Sequence, residues 1–249
     1  MPSLVERIVP RFRRLTQSRV RNRQAYLPSV ANKRGLEIGG PSEVFRRGFP
    51  LGIYPHVEVL DNCDFSRSTV WAEQQEIYTF DPEKKPGKSI FCDGSDLVSV
   101  KDDAYDFVLS SHNLEHFANP VKALKEWKRV ILPAGALILV LPYYKWTFDH
   151  RREPTNVDHM LEDFEHNIGE DDLTHLPEIL EKHDLSRDLP AGSVEVFHKR
   201  SLDNYANRCL HHHVFDEKNS RELLERTGFK VRSIDLAFPF HLCILASPE

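Results

Sequence analysis

The sequence predicts a doubly wound α/β sheet, mostly parallel, that closes in a C-terminal antiparallel hairpin. Three observations lead there. Short apolar runs alternate with segments of helical periodicity, the pattern of strand–helix–strand units around a parallel sheet. One run, Ala136–Leu141, is apolar without interruption, as expected of a strand buried on both faces. The last two strand-like runs, Lys230–Ala237 and His241–Ala246, are joined by too few residues for a parallel crossover and must pair antiparallel.

The elements follow in order. Leu4, Ile8, Val9, Phe12 and Leu15 recur at helical spacing between arginines within Leu4–Tyr26. A strand, Gly35–Ile38, runs into Gly39-Gly40-Pro41-Ser42, and Pro41 suits the first turn of a short helix over Ser42–Arg47. Strands are expected at Val57–Asp61, Ser89–Asp93 and Tyr105–Ser110. Pro120–Ile131 is an amphipathic helix with Val121, Leu124, Trp127 and Ile131 on one stripe, ended by Pro133-Ala-Gly135. Residues 143–215 break the rhythm. They are aromatic at first, then acidic and histidine-rich, with helices expected at Val157–Glu165 and Leu173–His183, and they read as a cap inserted into the scaffold. Asp216 is a plausible N-cap for a helix over Glu217–Thr227, and Gly228 its stop. A single domain over residues 1–249 is expected, with a basic N-terminal helical segment (1–33) and the cap (143–215).

Of the 249 residues, 40% are hydrophobic and 29% charged, enough apolar material for a core and too much for wholesale disorder. The net charge of −5 argues against a general nucleic-acid binder. Charge is uneven: residues 1–34 carry nine Lys/Arg against Glu6, whereas Asp149–Asp188 holds 13 acids against four bases. Cys63, Cys92, Cys209 and Cys243 form no CxxC pair and read as free thiols in a reducing compartment. The N-terminus lacks an apolar signal core, and the longest uncharged run, between Arg129 and Lys145, is interrupted by Pro133, Gly135 and Pro142. A soluble, cytoplasmic protein is expected, its oligomeric state open.

The chemistry-bearing residues cluster at strand ends. Glycine at 39 and 40 lets backbone approach a ligand where parallel sheets bind one. Asp61 follows Gly39 by 22 residues, at the expected end of the next strand, where a carboxylate accepts both ribose hydroxyls. Asp93 in Cys92-Asp93-Gly94-Ser95 is placed to read an adenine edge. Pro41 and Glu43 stand where a dinucleotide-binding loop demands glycine, and Glu43 would set negative charge beside a phosphate, so a nucleoside ligand without phosphate fits better. His211-His212-His213 invites a metal reading, but consecutive residues of an extended segment face alternate sides, so one ion cannot easily take all three. Asp149 with His150, or Asp158 with His159, offers a pair for a hard cation. No metal site is assigned.

These pieces together resemble the class I S-adenosylmethionine-dependent methyltransferases, in the branch that acts on small molecules, with a Rossmann-like sheet. The matching stretches are Leu36-Glu-Ile-Gly39, Val59-Leu-Asp61, Cys92-Asp-Gly94, Tyr105–His116 and Ile131-Leu-Pro-Ala-Gly135, with Val214-Phe-Asp216 and Thr227-Gly-Phe229 near the C-terminus. The spacing departs from the family at Gly39-Gly40-Pro41, where glycines usually alternate. The resemblance implies S-adenosyl-L-methionine as cofactor, with Glu37, Gly39 and Gly40 at its methionine part and Asp61 on the ribose. Asp93 and Gly94 then flank adenine, and Ser111 and His112 lie beside the amino-acid group and sulfonium. It implies methylation of a small molecule, the leading acceptor being a sugar or specialised-metabolite hydroxyl; the alternative is a non-catalytic cofactor-binding or partner-binding protein that keeps the fold. A hydroxyl acceptor needs a base near neutral pH. His112, His116 and His150 are the candidates, with His116 and His150 favoured, His116 being equally readable as a helix-side packing residue. Tyr143, Tyr144 and Trp146 either wall the acceptor pocket or pack the cap. Leu4–Tyr26 is expected to cover the cofactor side, with Tyr26 over the cofactor edge. Its competing reading is attraction to an anionic membrane or lipid-linked acceptor through Arg7, Arg11, Arg13 and Arg14.

Overall fold

The computed structural model describes residues 17–69, 73 and 75–249. Its strands are β1 (Arg34–Ile38), β2 (Val59–Asp64), β3 (Ile77–Tyr78), β4 (Gly87–Phe91), β5 (Tyr105–Ser111), β6 (Ile131–Pro142), β7 (Phe229–Ala237) and β8 (His241–Pro248). They form one sheet in the order β3-β4-β2-β1-β5-β6-β8-β7. The pairings of β1 with β2 and β5, of β2 with β4, and of β5 with β6 are parallel. β7 and β8 make the expected antiparallel hairpin, β8 also running antiparallel to β6, and β3 adds a short antiparallel edge. The α-helices are α1 (Leu27–Val30), α2 (Pro120–Val130), α3 (Val157–Glu165), α4 (Leu176–Lys182), α5 (Val194–Leu202), α6 (Asn204–Asn207) and α7 (Glu217–Arg226).

Strand alternation sends successive side chains to opposite faces, and two apolar layers result. On one face Leu36, Ile38, Val108, Leu137 and Leu139 meet Val121, Leu124 and Trp127 of α2, Met160 of α3 and Leu223 and Leu224 of α7. On the other, Phe107, Leu109, Ile138, Val140 and Cys243 are covered by Tyr26, Val30, Phe45, Leu51, Ile53 and Tyr54. This second cover is largely irregular. Instead of the helix expected over Ser42–Arg47, 3₁₀ turns form at Glu43–Phe45 and Tyr54–His56. Gly48, Pro50, Gly52 and Pro55 in this stretch do not sustain an α-helix.

Local chemistry sets the remaining boundaries. Asn119 caps α2 by accepting from the Lys122 N–H, and Asp216 with Asn219 closes a reciprocal capping box on α7. The Pro133-Ala-Gly135 break lies inside β6, where Ile131 pairs Tyr105 but Ala136 already pairs Phe107, so the surplus residues bulge outward. Four helices, α3 to α6, build the cap; Leu176, Ile179, Ala191, Phe197 and Leu210 form its own small core. A parallel bridge between Tyr143 and Phe215 closes the base of the cap.

Trp127 links the α2 layer to the loop after β4. Its indole Nε1 donates to the Gly94 carbonyl at 2.9 Å in a fully buried position. Trp127→Phe removes that donor and leaves a void, so we expect the unfolding free energy in a urea titration to fall by about 1–3 kcal/mol. An unchanged midpoint would show that Gly94 is held by other means.

Candidate functional site

A cavity of about 660 Å³ opens at the carboxyl ends of β1, β2, β4 and β5 and is roofed by the cap. Its floor is the loop after β1. Gly39 adopts φ +75°, and a side chain there would meet the Asn113 amide at 2.7 Å. The Gly39 N–H donates to the Cys63 carbonyl at 2.8 Å, and the Gly40 N–H to Asn62 Oδ1 at 2.9 Å. Glu37 lies beneath this loop and does not line the cavity. Its fully buried carboxylate accepts from the hydroxyls of Tyr54 (2.8 Å) and Tyr78 (2.6 Å) and from the Ser42 N–H and hydroxyl (3.1 and 2.7 Å). Burial pushes its pKa up, and these donors pull it back. Gly40 has no room for a side chain because Glu37 and Tyr78 occupy the space.

Asp61 does not reach the cavity. β2 starts at Val59 and runs on to Asp64, three residues beyond the expected end, so Asp61 sits mid-strand opposite Leu36. Its buried carboxylate accepts from Arg34 (2.7 Å), from the Tyr105 hydroxyl (3.0 Å) and from the Lys88 N–H (2.9 Å). The carboxylate that lines the cavity at the end of β2 is Asp64, next to Phe65. Asp93 and Gly94 do line it. Asp93 Oδ1 accepts from the Ser95 N–H and hydroxyl, both at 2.8 Å, while Oδ2 lies 3.3 Å from Arg208. Arg208 comes from the cap, lies over the Phe65 ring and also pairs with Glu170 at 3.2 Å. Burial raises Glu170 to about 7, against the pull of Arg208.

Ser111, His112, Glu115 and His116 follow β5 into the cavity, where His211 of the cap joins them. His112 Nε2 lies 2.8 Å from His241 Nδ1, and burial together with that neighbour holds His112 well below the ordinary histidine value. His116 Nδ1 donates to the Leu210 carbonyl at 3.0 Å, and burial keeps its pKa low. Glu115 Oε1 stands 3.9–4.0 Å from nitrogens of His112, His116 and His211. Burial raises Glu115 to about 7. His211 Nδ1 donates to Asp149 Oδ2 at 2.6 Å, and Arg152 holds the other Asp149 oxygen at 3.1 Å. Burial opposes ionisation of Asp149, yet His211 and Arg152 bring it down to about 2. Burial likewise opposes protonation of His211, but Asp149 lifts it above the ordinary value. The result is an oriented imidazole backed by a carboxylate, with Nε2 on the side of Glu115.

His150 is not at the cavity; its Nε2 pairs with Asp184 at 2.9 Å. Of the three aromatics expected to wall an acceptor pocket, Trp146 does so, 43% exposed, beside Phe148, Arg187, Asp188 and Phe240. Tyr143 is buried in the main core and Tyr144 packs against it. Tyr26 is not over the cavity: it is buried beneath the hairpin, its hydroxyl donating to Asp235 at 2.9 Å. Gln17 does line the cavity, and residues 18–26 form only a 3₁₀ turn at Arg23–Ala25 in place of the expected helix, while residues 4–16, with Arg7, Arg11, Arg13 and Arg14, lie outside the described residues. Asp64, His211 and Arg208 were the residues a sequence reading missed. The Asp61-Asn-Cys-Asp64 run holds the signal for the first, and the histidine triplet for the second.

Residues 62–139, about a third of the chain, match a family model described as a methyltransferase domain. The fold is similar to an S-adenosylmethionine-dependent methyltransferase of Mesorhizobium loti, with TM-score 0.52 and 14% identity over 90% of this chain and 95% of that one. It is also similar to a Thermotoga maritima protein described as a SAM-dependent methyltransferase and possible histamine N-methyltransferase, with TM-score 0.49 and 16% identity over 97% and 92%. No curated protein matches the sequence. Among the described residues no helix is long and apolar enough to cross a membrane. Residues 62–139 thus match a methyltransferase domain, within a sheet that has the fold of S-adenosylmethionine-dependent methyltransferases.

His241 gives a pH signature. Burial lowers its pKa to about 4, so below the ordinary value of about 6.5 the unfolded chain binds a proton that the folded chain refuses. Stability therefore falls as pH drops from about 6.5 to 4, by up to about 1.4 kcal/mol per pH unit for this one group. Urea midpoints measured across that range should fall less steeply in His241→Asn, and an identical slope would refute the assignment.

Proposed function

We propose that this methyltransferase domain binds S-adenosylmethionine in the cavity and methylates a hydroxyl of a small molecule, with His211 as the base. The observation that carries the reading is the convergence of a glycine-floored nucleoside cradle and the His211–Asp149 pair in one cavity. The residues fit the cofactor. The loop at Gly39 and Gly40 brings bare backbone to the floor, Asp64 stands at the end of β2 for ribose hydroxyls, and Phe65, Asp93 and Gly94 offer an apolar face and a polar edge for adenine. Bound S-adenosylmethionine supplies an electrophilic sulfonium methyl.

The chain's own residues do the rest. Trp146, Phe148 and Phe240 wall the side where an acceptor would enter, and Arg187 and Asp188 set a polar pair among them, a mixture suited to a sugar or specialised-metabolite hydroxyl. Holding acceptor and methyl in line in a site shielded from water is the main contribution such a protein makes. His211 accepts the hydroxyl proton at Nε2, and Asp149 fixes the tautomer by accepting from Nδ1 and stabilises the imidazolium that forms. Arg152 prevents Asp149 from swinging away. His116 shapes the same wall, and Glu37 acts through the loop it supports. Residues 1–249 would work as one unit with the 143–215 cap selecting the acceptor, and the four free cysteines suit a cytoplasmic setting.

Calorimetry with S-adenosylmethionine and S-adenosylhomocysteine tests the cofactor half. Asp64→Ala should weaken binding by about 10–100-fold, whereas Asp61→Asn should lower stability and leave affinity nearly unchanged. If neither ligand binds the wild type, the reading fails. His211→Gln should bind cofactor normally and lose about 10²–10⁴-fold in turnover on any acceptor found by screening hydroxyl compounds. Binding without turnover on every acceptor would favour a non-catalytic cofactor-binding protein.

A further inference from the structure

The second histidine cluster lies away from the cavity, on the far side of the 211–213 segment. The segment 211–213 is not a strand, and its three histidines diverge: His211 faces the cavity, His212 contacts Asn204 at 3.0 Å, and His213 enters a pocket between the cap and the scaffold. There it meets His159 and Asp163, which are four residues apart and so share one face of α3, and His175, the residue before α4. His159 Nε2 lies 3.1 Å from His175 Nε2 and 3.5 Å from Asp163 Oδ2, and His213 Nε2 lies 3.6 Å from the same oxygen. One ligand atom from each of the four residues falls within 4.8 Å of all the others.

These separations have a physical meaning. Tetrahedral zinc with bonds of about 2.0–2.1 Å sets its ligand atoms about 3.3 Å apart. Asp163 Oδ2 is buried and has no hydrogen-bond partner among the described residues, in a residue only 8% exposed. An orphaned carboxylate oxygen facing imidazole nitrogens at these distances costs free energy unless a cation lies between them. The Glu115, His116 and His211 group differs: its nitrogens stand 4.0 Å from Glu115 Oε1, and His211 already gives its other nitrogen to Asp149.

We propose that His159, Asp163, His175 and His213 form a structural divalent-metal site that takes zinc. Three imidazoles and one carboxylate fill a tetrahedron with no open position, the arrangement of a structural rather than a catalytic site. In the metal-free protein His213 Nε2 donates to the Ala118 carbonyl at 3.2 Å; on loading, the neutral ring changes tautomer, Nδ1 taking up the proton that Nε2 gives up, and the Nε2 lone pair goes to the metal. The ion would pin α3 and the start of α4 to the returning chain two residues from His211, tying the two ends of the cap to each other. The site stands independently of the methyl-transfer reading, because it shares no residue with the cavity.

The test uses the full chain, stripped with a chelator and titrated with Co²⁺ alone, then with Zn²⁺. One equivalent of Co²⁺ should develop the intense visible bands of four-coordinate cobalt, Zn²⁺ should bleach them, and Zn²⁺ should raise the melting temperature. The His159 side chain is 40% exposed, so His159→Gln leaves the core intact. This variant and Asp163→Asn should each lose at least about 100-fold in metal affinity, along with the zinc-dependent rise in melting temperature, while circular dichroism confirms that the metal-free variants remain folded. His116→Asn should keep the bands. Absence of tetrahedral bands in the wild type, their persistence in a folded His159→Gln, or their loss in His116→Asn would each overturn the proposal.

Discussion

A carboxylate with no exposure to solvent holds the glycine-loop side of the cavity in shape. Glu37 lies next to the end of β1 inside the protein, and its donors are neutral hydroxyls and a backbone N–H. Each donor belongs to a different piece of chain: Tyr54 to the 3₁₀ turn that covers the second sheet face, Tyr78 to the two-residue edge strand, Ser42 to the glycine loop itself. A short strand and an irregular cover have little cooperative stability of their own. Their shared bond to one buried acceptor makes them a unit, and the loop lies flat on that unit because Gly40 presents no side chain to it.

The scaffold was legible in the sequence because its signals are local. Strand alternation, the capped α2 and α7, and the short hairpin connection each depend on neighbours within a few residues, and the stretch from Ser111 to His116 delivers its side chains to the cavity simply by following β5. What the sequence concealed depends on register or on distance along the chain. Val57–Asp61 alternates as well as Val59–Asp64 does, and only pairing with β1 decides that the strand runs on, so the carboxylate at its end is Asp64 and Asp61 becomes an internal partner of Arg34. His150 looked like the residue entering the cap beside the acceptor. It is tied to Asp184, and the imidazole that reaches the cavity comes from 61 positions later, at the cap's other end.

Thirteen histidines in one chain suggest a single large cluster, yet the fold separates them by chemistry. Burial keeps His112, His116, His212 and His213 from ionising, whereas Asp149, with a smaller push from Glu115, raises His211 above its ordinary value. The difference between adjacent residues 211 and 212 comes chiefly from Asp149, itself kept ionised by His211 and the buried Arg152. Perturbation in opposite directions over a single peptide bond lets one segment carry two imidazoles of different character.

The bridge from Tyr143 to Phe215 brings the two ends of the cap together at one point on the sheet. Between these ends lie Trp146 and Phe148, the arginine over Phe65, and both His211 and Asp149, whereas Phe240 and the glycine-floored part of the cavity belong to the scaffold outside them. On the proposed reading, proton removal and most of acceptor choice travel on one contiguous insert with a narrow base. Recombination that exchanges the segment between related scaffolds would carry specificity and its base together, leaving the methyl-donor machinery untouched. A lineage built this way can diversify its acceptors by swapping a single exon-sized piece instead of accumulating coordinated point changes on both halves.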